Sequence, residues 1–161
     1  MRSLSAHAST WGGGEKTPAL TTRRWNLLAV PAAILAVMAI LQIVSFGKFK
    51  DWLDSINIGA PAVVAVLIII AELWGALSLL RIPMNPMLRF WGFIAAILAC
   101  GFWFIENLYL VTSSGGQLPT SGFFGRYLNQ QPSWWTVLES AILLLWVIYA
   151  AELFKADSTE R

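Results

Sequence analysis

Residues 60–80 read APAVVAVLIIIAELWGALSLL, an apolar run interrupted near its middle by a single carboxylate, Glu72. Coiled as a helix at ~1.5 Å per residue, a stretch of this length covers the ~30 Å of hydrocarbon in a bilayer. A carboxylate at that depth is costly enough to mark either a functional position or a specific bond between helices. Three further runs have spanning length, residues 25–46, 90–111 and 134–154. The expected fold class is therefore all-α: a polytopic membrane protein whose four transmembrane helices form one bundle domain over residues 25–154.

Composition points the same way. Of the 161 residues, 57% are hydrophobic and 12% charged, and the mean hydropathy is +0.64, values unsuited to a surface that faces water. Residues 1–24 are rich in Ser, Thr and Gly and hold no apolar segment of signal-peptide length, so they read as a flexible cytoplasmic tail before an uncleaved first helix, with a transit peptide as the competing reading. Residues 155–161 form a second, short tail.

The basic residues set the expected orientation. Of eleven, eight lie on one side: Arg2, Lys16, Arg23 and Arg24 before the first helix, Arg81 and Arg89 at the turn between the second and third, and Lys155 and Arg161 after the fourth. Only Lys48, Lys50 and Arg126 lie on the other. This asymmetry predicts that both termini are cytoplasmic and that the protein is a multi-pass protein of the inner membrane. The net charge of +2 is then a topology signal. No basic patch interleaved with exposed aromatics points to nucleic acid, and none is expected as a partner.

Two residue types narrow the chemistry. Cys100 is the single cysteine, so the chain is no self-sufficient disulfide-exchange catalyst, and its place between Ala99 and Gly101 suits packing. His7, the one histidine, lies in the tail, which excludes bis-histidine haem ligation; no metal site is expected.

The connections differ in character. Residues 81–89 read RIPMNPMLR, where Pro83 and Pro86 stop helix continuation and predict a tight turn between adjacent antiparallel helices. The loop 47–59 mixes Lys48, Lys50, Asp51 and Asp54 with Trp52 and is expected to hold a short interfacial helix. The longer loop 112–133 is Gly-rich, with Phe123, Phe124 and Tyr127 expected against the headgroups. Trp25, Trp52, Trp91, Trp134 and Trp135 fall near helix ends, as an aromatic belt would place them; Trp74, Trp103 and Trp146 lie deeper and read as packing, with a place flanking a flat cofactor as the alternative.

The carboxylates can be ranked by depth. Glu106 lies five residues from Val111 and Glu139 five from Trp134, roughly 7–8 Å below the outer surface. Gln42, four residues from Phe46, is expected at a similar level, and Glu72 roughly 10 Å deeper. Helical steps from Glu106 recover Trp103, Ala99, Ala95 and Gly92, and steps from Glu72 recover Ala65, Gly75 and Ala76. These mostly small stripes permit close approach, so both acids are expected to face the bundle interior. Glu106 and Glu139 are expected to share a cluster with Gln42 and Lys48, able to bind a polar headgroup or relay protons to a quinone. A satisfied interhelical network of neutral carboxyls is the plainer alternative. Glu72 is expected protonated, donating to a backbone carbonyl, to Ser78 or to a ligand.

Phe46-Gly47-Lys48-Phe49, then Ile58-Gly59-Ala60-Pro61, then Ala71-Glu72-Leu73-Trp74-Gly75 with Leu79-Leu80, resembles the end of helix one, the loop and helix two of DoxX-like membrane proteins. The resemblance covers residues 40–104. It implies a four-helix fold, with Lys48 and Glu72 at the positions of family-like roles. It further implies a small subunit or accessory protein of a quinone-linked membrane oxidoreductase complex, with quinone as a non-covalent cofactor. Expected partners are the lipid bilayer and other membrane subunits, with a homo-oligomer as an open arrangement. The rival expectation is a non-catalytic scaffold or assembly subunit of a larger membrane complex.

Overall fold

A computed structural model of the chain describes residues 22–80, 82–113 and 131–159. Every regular element among them is a helix: α1 (Thr22–Val44), α2 (Phe46–Ser55), α3 (Pro61–Leu79), α4 (Pro86–Ser113) and α5 (Trp134–Thr159). Four stretches are long and apolar enough to cross a membrane, Asn26–Val44, Pro61–Leu79, Pro86–Ser113 and Trp134–Leu153, so the expected spans are found. The tails at residues 1–21 and 160–161, and the Gly-rich loop through 114–130 with its aromatic residues, lie outside the described residues.

The helix ends follow from local chemistry. Pro86 does not end a helix; it opens α4 at the first helical position, where its missing N–H is no loss. Asn85 caps that end, its Oδ1 accepting the Met87 N–H at 2.9 Å, while Arg89 donates to the Ile82 carbonyl at 2.8 Å and ties the turn together. The third span thus begins four residues before the apolar run suggests. Between α2 and α3 the chain turns through positive φ at Asn57 (59°) and Ala60 (54°), with Pro61 starting α3.

Around the bundle, α3 packs on α1 and α4, α4 on α5, and α5 back on α1, closing a ring in chain order. Gly75 lies against Ala96, and Gly92 against Ser78, so α3 and α4 run antiparallel at close range. A Cβ on Gly75 would stand 2.6 Å from the Ala96 Cβ, and one on Gly92 only 1.8 Å from the Ser78 Oγ. Pro31, inside α1, has no N–H for the Leu27 carbonyl four residues back. That carbonyl instead accepts the Trp146 indole N–H of α5 at 2.9 Å.

Side chains are distributed inside out relative to a water-soluble protein. Val37, Ile40, Leu67, Leu98, Ile105 and Leu145 point outward, whereas Gln42, Glu72, Glu106, Asn107 and Ser140 are buried. An apolar exterior of this kind is matched to lipid.

The loop expected to hold an interfacial helix does form one, α2, but that helix is not merely laid on the surface. Phe49, Trp52 and Leu53 are buried, and α2 packs on α3 while Lys48, Asp51 and Asp54 stay exposed. The break between α1 and α2 falls at Ser45, whose hydroxyl donates to the Leu41 carbonyl at 2.7 Å.

Candidate functional site

Glu72 projects from α3 into the bundle and is fully buried. Its placement follows from the small residues on the same face, Ala65, Gly75 and Ala76, all buried where neighbouring helices come close. Two donors meet at its Oε1. The Trp103 indole N–H of α4 donates at 2.7 Å, and the Gln42 amide of α1 at 3.2 Å. One carboxyl oxygen therefore joins three helices.

Trp103 is also the centre of an aromatic cover. Its ring stacks on Phe49 (centroids 6.0 Å apart, 29° between planes) and on Trp52 (5.8 Å, 27°), both from α2, and those two stack on each other at 6.0 Å and 12°. Phe102 meets it edge-on at 5.3 Å. One turn further along α4, Asn107 donates its Nδ2–H to the Trp103 carbonyl at 2.7 Å. The indole is thus fixed from several sides, as a donor aimed at a buried acid requires.

Glu72 Oε2 and Gln42 Oε1 have no hydrogen-bond partner among the described residues. Both donors to Glu72 are neutral, so no bonded cation balances an ionised carboxylate.

Several expectations require correction. Gln42 belongs with Glu72, not with Glu106, because the end of the apolar run at Phe46 does not mark the membrane surface. α1 stops at Val44, and α2, with its buried aromatic face, follows directly; the end of the apolar run is not the end of the bundle. Ser78 is not a partner of Glu72 either. Its hydroxyl donates to the Trp74 carbonyl at 2.9 Å and lies against Gly92.

Glu106 is buried as its helical phase requires, yet neither of its oxygens has a hydrogen-bond partner among the described residues, so it does not bond to Glu139 or Gln42. Glu139 is half-buried on α5, and Lys48 is exposed on α2 outside the Glu72 pairing. Ser140 turns to its own helix, donating to the Thr136 and Val137 carbonyls. Among the described residues no group of three or more His, Cys, Asp or Glu side chains is placed to hold a metal ion, and Cys100 is a buried free thiol.

No family model, curated protein or solved structure matches the chain. What the site can do rests on its own geometry. The sequence places Trp52 in an aromatic belt, Trp103 among deep packing residues and Phe49 only in the motif of the resemblance; the structure stacks the three rings on one another. A signal for Trp103 was present, since it shares the interior stripe with Glu106 and a buried indole N–H needs an acceptor.

Proposed function

We propose that the chain is a small integral subunit or accessory protein of a quinone-linked membrane oxidoreductase complex, DoxX-like in kind, with both termini on the cytoplasmic side of the inner membrane. The observation that carries the reading is the Glu72 carboxyl, bonded through Oε1 by Trp103 and Gln42 and open at Oε2. A protonated carboxyl held this way can donate its O–H to a ring carbonyl or hand over its proton. The Trp103, Trp52 and Phe49 rings stack on one another beside it and keep the carboxyl in an apolar, aromatic surrounding. The orientation is supported by the eight-to-three division of basic residues.

Purification in mild detergent, with identification of co-purifying subunits and extraction of bound quinone, tests the proposal. Glu72→Gln keeps the shape and most of the bonding but cannot give up an acidic proton. It is expected to abolish partner-dependent redox activity while fold and partners persist. Full activity in that variant would return the reading to the scaffold. Orientation is tested by single cysteines at Ser5, Gly116 and Ser158 in a Cys100→Ala background, where only the Gly116 site should react with an impermeant reagent applied to intact cells.

One feature favours the scaffold as a second reading. Glu72 already joins three helices through two hydrogen bonds, as a purely structural group would. In that case Glu72→Gln leaves both complex assembly and any redox activity intact.

A further inference from the structure

Both donors to the Glu72 carboxyl are tied to α2. The Trp103 indole that bonds Oε1 at 2.7 Å stacks on Phe49 and Trp52 of that helix, with ring centroids 6.0 and 5.8 Å away. Gln42, the other donor, stands three residues before the Ser45 break from which α2 departs. Any shift of α2 therefore reaches the carboxyl through one ring and one short piece of chain.

α2 is also built as a separable unit. Phe49, Trp52 and Leu53, at steps of three and four, form one buried apolar face, while Lys48, Asp51 and Asp54 are exposed. Helical geometry is interrupted on either side of it: at Ser45 (φ −109°, ψ 30°) before, and at Asn57 and Ala60, both of positive φ, after. The second connection closes on its own helix, the Asn57 N–H donating to the Asp54 carbonyl at 2.9 Å and the Ile58 N–H to the Leu53 carbonyl at 3.1 Å. A ten-residue helix seated by three side chains between two breaks opens at lower cost than a spanning helix packed along its whole length.

We propose that α2 is a hinged cover that regulates the Glu72 carboxyl. Seated, it holds the Trp103 indole on Oε1; unseated, it withdraws that support and leaves the Gln42 amide as the remaining bonded donor. The coupling runs both ways, so a change at the carboxyl must alter the seating of α2 by the same factor. This control rests on the reading of Glu72 as the working group proposed above, but its test needs no redox partner, so a failed labelling experiment and a failed redox assay are distinguishable.

Thiol labelling of the purified full chain in mild detergent, in a Cys100→Ala background, tests the hinge. With Leu53→Cys the thiol lies on the buried face of α2; with Ala39→Cys it lies in the core of α1 and reports opening of the whole bundle. N-ethylmaleimide is expected to modify the Leu53→Cys chain slowly while the bundle stays folded, and to leave the Ala39→Cys chain unmodified over the same time. Adding Glu72→Leu, which removes the acceptor of the indole, is expected to speed the reaction at position 53 about fivefold, the factor that one lost hydrogen bond corresponds to. Glu72→Gln keeps an acceptor for the indole and should change that rate less than about twofold. No modification at position 53, equal modification at position 39, an unchanged rate with Glu72→Leu, or the same acceleration with Glu72→Gln as with Glu72→Leu overturns the proposal. Should Leu53→Cys fail to fold, backbone hydrogen exchange over residues 46–55 decides in its place: faster exchange with Glu72→Leu than in the unaltered chain supports the hinge, and equal exchange overturns it.

Discussion

Along α3 and α4, Gly75 meets Ala96 and Gly92 meets Ser78 with no room for a Cβ on either glycine, whereas α1 and α5 meet more sparsely and are joined by the bond from the Trp146 indole to the Leu27 carbonyl. Both seams close the same ring. The first depends on the absence of side-chain atoms and the second on a single directional contact. In a bilayer, where lipid tails are as apolar as leucine, close packing and interhelical hydrogen bonds are the two means available; the α3–α4 seam combines its packed glycines with the bond from Trp103 to Glu72, whereas the sparser α1–α5 seam has the Trp146 bond.

The packed seam should be the more fragile. Gly75→Val places branched carbons where even one Cβ would stand 2.6 Å from the Ala96 Cβ and 3.0 Å from its backbone Cα. α3 and α4 must then separate, with an expected loss at or above the ~1–3 kcal/mol typical of overpacking, read from thermal or denaturant unfolding in micelles. An unchanged midpoint would mean that the helices are not in contact there. Trp103→Phe comes next. It keeps a ring in the aromatic stack but removes the shorter of two bonds to Glu72, for an expected ~1–3 kcal/mol.

The hydrogen-bonded seam can be tested by a cycle. Trp146→Phe leaves the Leu27 carbonyl without its indole donor, and about 1 kcal/mol is expected, since Trp146 is only half-buried. With Pro31→Ala in the background, an N–H becomes available to that carbonyl, and the cost of Trp146→Phe should shrink; strict additivity would show that the two positions are not coupled. The smallest effect is expected at Ala60, whose φ of 54° is a left-handed conformation. Ala60→Gly relieves that strain at some cost in unfolded-chain entropy, so a net gain below about 1 kcal/mol is expected.

The architecture was largely legible because span length and the inward phase of Glu72 and Glu106 are written in residue spacing. Ala65, Gly75 and Ala76 predicted a close interior face, and the structure buries all three. The partners of the acids were not legible in the same way. Whether Gln42 reaches Glu72 or Glu106 depends on where α1 stops relative to α3, and the break at Ser45 is hidden inside an apolar run that continues to Phe46. α2 looked like an interfacial helix because its charged face was counted. Its buried face of Phe49, Trp52 and Leu53 became meaningful only with Trp103 opposite. Pair identity is a property of three-dimensional register, which a single sequence does not encode locally.

The bond from Trp146 to Leu27 joins residues 119 positions apart. During synthesis the first span enters the membrane long before its partner exists, carrying at its leading turn a carbonyl that Pro31 has released from the helix. Insertion of α5 brings the indole donor to it. The proline thus leaves on α1 an acceptor whose donor is supplied only by α5 among the described helices.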